Sequence, residues 1–271
     1  MTDESALTTW GNGAQPSRAR LRGSTVLRDA GPWSPAVVAL LRHFETVGFT
    51  GAPRPVGSGF APDGREVVTL VPGSSRHPHQ WQDEDVLAIG QLLRRAHRAA
   101  ATFTPPPDAR WRDWFGRALP GDHPVIGHCD VGPWNVVIAE DGTPALIDWE
   151  FAGPVDAIWE LAQAAWLNAQ LHDDETADRL GLPPVADRAR QVRLLLEGYE
   201  LPALARQGFV DRMIELAVHA AAAETLEHAV HPDTTSAVTD SGYPVLWAVT
   251  WRTRDAAWML QHRHLLERAI A

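Results

Sequence analysis

Apolar positions recur at helical spacing through Val37, Val38, Leu40, Leu41, Phe44 and Val47. Ser34-Pro35 precede the run and Gly48 follows it, which predicts a helix with Ser34 as cap and Pro35 at its first position. A longer stripe from Asp83 to about Thr102 carries Val86, Ile89, Leu93, Ala96 and His97 on one face, with Asp83 as cap. Ile158, Leu161, Ala162, Ala165 and Trp166 predict a further inward face, on a helix starting at Gly153-Pro154. Val185 to Tyr199, Phe209 to His231 and Pro244 to Ile270 read as three more helices. The last holds Trp247, Trp251 and Trp258 at helical spacing, a pattern that usually means core packing. Short β-prone runs occur at Arg18 to Leu21, Thr25 to Arg28, Pro53 to Val56, Glu66 to Val71, Val136 to Ile138 and Ala145 to Ile147. Strands thus dominate the early chain and helices the rest, the pattern of an α+β fold.

Composition narrows the function classes. The chain has 271 residues, 45% of them hydrophobic, ample for a sizeable core in one two-lobed unit or two small domains. A single cysteine allows no intramolecular disulfide. The first residues, Met1-Thr2-Asp3-Glu4-Ser5, are polar, and no apolar run approaches the ~20 residues of a membrane span, so a soluble cytoplasmic protein is expected. The net charge of −10 argues against nonspecific nucleic-acid binding. It is compatible with a cationic small-molecule partner and equally with ordinary solubility.

The chemistry concentrates in His128-Cys129-Asp130-Val131-Gly132-Pro133-Trp134-Asn135 and Leu146-Ile147-Asp148-Trp149-Glu150. Two β-prone runs flank Glu140-Asp141-Gly142-Thr143, and Asp-Gly signals a two-residue hairpin turn. Asn135 precedes the first run and Asp148 ends the second, so both side chains emerge at one end of the hairpin. Asp130 lies on the loop that feeds it. Two carboxylates and an amide in that arrangement suit phosphoryl transfer: one carboxylate takes a hydroxyl proton, while the amide and the other carboxylate hold magnesium through hard oxygen ligands. Without that chemistry, Asp130 and Asn135 would be turn formers and Asp148 a strand-end cap.

His128, Asp130, Asn135 and Asp148 together resemble the catalytic loop and metal-binding aspartate of the aminoglycoside phosphotransferase (choline kinase-like) family, small-molecule relatives of the protein kinases. Trp159-Glu160-Leu161-Ala162 resembles the helix that follows, usually written with Asp-Leu-Ala. The likeness is close from about Val125 to Trp166 and weaker from Thr25 to Gly73. Two departures stand out: Cys129 in place of a usual Gly, and Glu160 in place of Asp, which should lengthen a structural hydrogen bond without removing it.

The resemblance implies a bilobal, protein kinase-like fold, with a nucleotide-binding lobe over 1–72 and a catalytic and substrate-binding lobe over 73–271. It implies Asp130 as catalytic base, Asn135 and Asp148 as magnesium ligands, and His128 and Glu160 as supports of the loop. Arg28 would stand for the usual phosphate-pairing lysine, under a glycine turn at Gly11–Gly13, although the same residues also describe a plain surface hairpin. Leu70 and Val71 would line the base pocket, or be an ordinary core strand. Glu45, late in its helix, is the acidic residue available there to pair with Arg28. One or two of the C-terminal tryptophans would face substrate, and Glu224, Glu227, Asp233, Asp240 or Asp255 would be available to a cationic drug or lie in solvent.

The function implied is magnesium-dependent transfer of the γ-phosphate of ATP or GTP to a hydroxyl of a small molecule, foremost an antibiotic. A metabolic kinase for an amino alcohol, sugar or nucleoside is the same chemistry. A non-catalytic nucleotide-binding immunity or regulatory protein is the alternative from another class. A protein kinase is disfavoured, because no Ala-Pro-Glu closes an activation segment.

Overall fold

The computed structural model describes residues 19–239 and 242–271. The glycine turn expected at Gly11–Gly13 lies outside them.

Strands β1 (Arg20–Arg22) and β2 (Thr25–Arg28) pair antiparallel across Gly23, whose φ of +60° a side chain would strain. Helix α1 (Ser34–Thr46) follows, then β3 (Pro55–Phe60) and β4 (Glu66–Thr69). The sheet order is β1-β2-β4-β3, so β4 inserts between the hairpin and β3. The α1 stripe buries Val37, Leu40, Leu41 and Phe44. Ser34 is the first helical residue and not the cap: its hydroxyl accepts the Gly31 N–H at 2.9 Å and Trp33 takes the cap position.

Helix α2 (Asp83–Ala100) is opened by Gln82, which forms a reciprocal capping box with Asp85. Asp83 is thus the first helical residue, one position inside the expected cap. Strands β5 (Pro124–Gly127), β6 (Val136–Ile138), β7 (Pro144–Leu146) and β8 (Gly153–Asp156) follow as two antiparallel pairs, β5 with β8 and β6 with β7. The chain closes with α3 (Ala157–Asn168), α4 (Asp174–Leu180), α5 (Val185–Tyr199), α6 (Phe209–Glu227), α7 (Val245–Gln261) and α8 (Arg263–Ile270). The whole is the mixed α+β, kinase-like architecture.

Three expectations are corrected. Gly153-Pro154 opens strand β8 instead of a helix, because Val155 pairs with Val125 and ties the segment to β5. Helix α3 starts at Ala157, where the Asp156 carboxylate accepts the Ile158 N–H at 2.9 Å and, from β5's approach, the His123 N–H at 2.7 Å. The expected single C-terminal helix breaks at His262, where α8 turns to bury Leu266 and Ile270. The β6–β7 connection has five residues, not two, with the Ala139 N–H bonded to the Thr143 carbonyl at 3.0 Å.

Helices α2 and α5 cross at contact distance. A Cβ on Gly90 would stand 2.2 Å from the Leu195 carbonyl oxygen, and one on Gly198 would stand 2.1 Å from that of Leu87. Two glycines remove the side chains that would hold these helices apart.

Candidate active site

The site is built where the β5 end, the β6–β7 hairpin and the N-terminal sheet meet. Val136 pairs with Leu146, and the Ile147 N–H donates to the Asn135 carbonyl at 2.9 Å. Asn135 and Asp148 therefore stand on adjacent strand ends. Ser74 exchanges two backbone bonds of 3.0 Å with Ile138, stitching the segment after β4 to this hairpin.

His128 is buried, with its ring 4.6 Å from that of Trp149. Its Nδ1 accepts the Asp130 N–H at 3.2 Å, which leaves Nε2 to donate to the Ile147 carbonyl at 2.8 Å. That pairing fixes one neutral tautomer, and burial pushes the imidazole pKa down, in keeping with it. The histidine thus spans from the Asp130 loop to the residue before Asp148.

Cys129 sits at φ +64°, a left-handed conformation that glycine adopts without cost, which gives the usual Gly at this position a physical meaning. Burial raises its thiol well above the ordinary range, so it stays protonated. Its N–H donates to Glu160 Oε1 at 2.5 Å, and Glu160 Oε2 pairs with His97 Nε2 at 2.5 Å. Tyr199 Oη lies 2.8 Å from His97 Nδ1. Burial alone would raise the Glu160 carboxyl; the His97 and Cys129 partners outweigh it and hold it low. Glu160 in place of Asp keeps the bond to the loop, as expected from sequence, but at 2.5 Å that bond is short and not lengthened.

Asp130 accepts from Asn135 Nδ2 at 2.7 Å and from Trp134 Nε1 at 3.4 Å. Asn135 Nδ2 also donates to the Asp130 carbonyl at 3.0 Å, which turns the amide oxygen away from these contacts. Burial, with the Asp148 charge nearby, pushes the Asp130 carboxyl up to about 7. Asp148 itself has φ +60° and remains 46% exposed at its side chain. Its Oδ1 pairs with Arg28 Nη1, while Arg28 Nη2 holds Glu66 at 3.0 Å.

Glu66 was invisible as a site residue in the sequence. It faces Arg28 directly across the β2–β4 register and is 1% exposed. The available signal was a carboxylate heading an otherwise apolar strand. Glu45, by contrast, is exposed on α1 and takes no part. Leu70 donates its N–H to the Ser24 carbonyl at 2.8 Å and is 44% exposed, next to half-buried Val71. Arg117 was also missed: it binds the carbonyls of Phe151 (2.6 Å), Pro154 (3.0 Å) and Arg112 (2.8 Å), clamping the turn after Asp148.

Among the described residues no three His, Cys, Asp or Glu side chains cluster as a self-sufficient metal site, and no helix is long and apolar enough to cross a membrane. One carboxylate and one amide oxygen nevertheless fit magnesium, which takes few protein ligands and completes its shell with phosphates and water.

The model of the phosphotransferase enzyme family matches residues 105–206, a span that includes Asp130, Asn135, Asp148 and Glu160. The chain is 51% identical, over the full length of both, to a trifolitoxin immunity protein of Rhizobium leguminosarum bv. trifolii. Among solved structures it resembles a choline/ethanolamine kinase family protein from Mesorhizobium loti (TM-score 0.62, 13% identity, 98% of this chain and 92% of the other). It also resembles an amicoumacin kinase in complex with AMP-PNP and Ca2+ (TM-score 0.60, 13% identity, 90% of each chain). An aminoglycoside phosphotransferase from Alicyclobacillus acidocaldarius aligns with TM-score 0.53 and 14% identity over 99% of this chain and 97% of the other. At such identities these three show the fold.

Proposed function

The chain belongs to the phosphotransferase enzyme family, and from that premise we propose that it transfers the γ-phosphoryl group of ATP or GTP, with magnesium, to a hydroxyl of an antibiotic. The observation that carries the reading is the convergence of Asp130, Asn135 and Asp148 at one end of a hairpin, faced by Arg28 from the N-terminal sheet.

In the step proposed, the acceptor oxygen bonds to the γ-phosphorus as the bond to the β–γ bridging oxygen breaks. Asp130 receives the hydroxyl proton, and Asn135 holds its carboxylate in place. The free amide oxygen of Asn135 and the carboxylate of Asp148 are the magnesium ligands. Magnesium bound there offsets charge on the nucleotide phosphates. Arg28 exchanges part of its contact with Asp148 for phosphate oxygens while Glu66 keeps its direction. Leu70 and Val71 border the base.

An antibiotic acceptor is supported by the name of the 51% identical relative, an immunity protein. The same name favours a second reading, in which the chain protects by binding alone. The two separate by experiment. Purified protein with magnesium and either ATP or GTP is incubated with hydroxyl-bearing antibiotics, and the products are weighed by mass spectrometry. A gain of one phosphate establishes the transferase. Asp130→Ala should reduce transfer by about 10²–10⁴-fold with nucleotide affinity preserved. Undiminished transfer by that variant removes Asp130 as the base, and antibiotic binding without transfer establishes the binding-only reading.

A further inference from the structure

Asp130 opens on a cavity of about 40 Å3, room for a few waters. Phe115, Trp134, Trp166 and Trp251 form its aromatic walls, and its polar side chains are Asp130, Gln163 and Arg252. The rings of Trp166 and Trp251 lie 5.4 Å apart. Both are braced by one fully buried carboxylate. Asp255 Oδ2 accepts the Trp166 Nε1–H at 3.0 Å and contacts His172 Nδ1 at 3.0 Å, and the His172 ring meets Trp251 edge-on at 5.7 Å.

Gln163 is the unsatisfied member. It is 6% exposed, and its Oε1 has no hydrogen-bond partner among the described residues. A buried carbonyl oxygen without a donor is costly, so a donor from a bound molecule is the natural complement.

Charge in the cavity disfavours a polycation. Asp130 is the acidic side chain lining it. Glu224 is engaged by Arg252 at 2.7 Å and by the Tyr243 hydroxyl at 2.9 Å. Asp255 is sealed behind Trp166, Glu227 and Asp233 are exposed and do not line the cavity, and Asp240 lies outside the described residues. A quaternary ammonium is also poorly served. The Arg252 guanidinium already covers the Trp251 ring at 4.5 Å, and such a cation has no N–H for Gln163.

Resting on the kinase reading above, we propose that the acceptor is a flat, conjugated or aromatic molecule, neutral or anionic. It inserts between the tryptophans, donates a hydrogen bond to Gln163 and presents its hydroxyl to Asp130. Gln163 and Trp251 are then its specificity-determining residues, and the cavity widens as Trp251 gives way to the incoming ring.

The test is calorimetric titration of the full chain with two sets of probes. Chloramphenicol (a neutral nitrophenyl diol), novobiocin (an anionic hydroxycoumarin) and N-acetyltyrosinamide form one set; kanamycin and choline form the other. Each is titrated into wild type, Gln163→Leu and Trp251→Ala, whose folding is checked by thermal melting. At least one aromatic probe should bind below about 1 mM, and each variant should weaken it by about tenfold or more. Gln163→Leu replaces a buried side chain; the half-buried Trp251 supplies the second variant should the first fail to fold. The proposal is overturned if kanamycin or choline binds more tightly than every aromatic probe, if no aromatic probe binds, or if the folded variants bind it unchanged. Titration of ATP and of GTP, each with magnesium, in the same samples separates the two levels of failure. Binding of either nucleotide with a preference for cations removes this inference alone, whereas binding of neither ATP nor GTP removes the kinase reading beneath it.

Discussion

At the scale of the residue, the role proposed for Asp130 carries opposed demands. A proton acceptor must be ionised, yet burial and the neighbouring Asp148 charge lift its folded pKa to about 7, above the ordinary 3.8. The sign follows from linkage. Between about pH 4 and pH 7 the folded chain holds a proton that the unfolded chain releases, so stability falls as pH rises through that window, and the cost is complete above it. Asp130→Asn should therefore raise the melting temperature of the nucleotide- and metal-free protein at pH 8, with the gap closing toward pH 5. A melting series over that range that shows no pH-dependent gap would contradict the raised value. Arg28 and Glu66 give a second residue-scale expectation. Glu66 is nearly sealed, with Oε1 lacking any partner among the described residues. Glu66→Ala leaves Arg28, at 16% exposure, with Asp148 as its remaining carboxylate partner and should cost about 1–3 kcal/mol in denaturant unfolding, together with a raised KM for nucleotide. Neither number was legible in sequence. Asp130 announced itself through its spacing to Asn135, but Glu66 became a partner only when β4 paired with β2 in register.

At the scale of the element, the site is a set of short pieces tied by side chains from elsewhere. The hairpin was legible because Asp141-Gly142 sits between two β-prone runs, even though the turn came out wider than two residues. The start of α3 was not legible, because Pro154 suits a helix's first turn as well as a strand edge, and the pairing of Val155 with Val125 decided between them. Glu160 links two elements, α3 to the Cys129 N–H and α2 through His97. Glu160→Gln leaves one oxygen to serve both contacts. It should cost about 1–3 kcal/mol in urea unfolding and also lower kcat, because the bond it weakens positions the Asp130 loop. A loss of stability with kcat unaltered would make Glu160 a packing residue only.

At the scale of the whole molecule, Arg28 on β2 reaches Asp148 beyond β7, so the N-terminal sheet and the hairpin share the site. A ligand that bridges them binds the folded chain and not the unfolded one. ATP with magnesium at about one hundred times its Kd should add about 2.7 kcal/mol, or about 5–10 °C in Tm for a chain of this length. Differential scanning fluorimetry with and without EDTA measures the gain and its dependence on metal. A Tm unchanged by either ATP or GTP, each with magnesium, would count against any nucleotide role.

The sequence by itself determined most of the elements and the central members of the chemical cast. Helical stripes such as Val37 to Phe44 are local, set by a 3.6-residue period, and the spacing of Asp130, Asn135 and Asp148 is confined to nineteen consecutive residues. Tertiary structure decided everything that joins distant residues. It chose Glu66 over Glu45 as the partner of Arg28, and it sealed Asp255 behind Trp166 and bound Glu224 to Arg252, closing off two acids that composition left open to a cation. It also left the Gln163 oxygen unpaired against a wall of indoles. The physical reason is that register, burial and hydrogen-bond satisfaction are properties of pairs. Which atoms a side chain meets is fixed by the packing of elements far apart in the chain, and no local pattern carries that information.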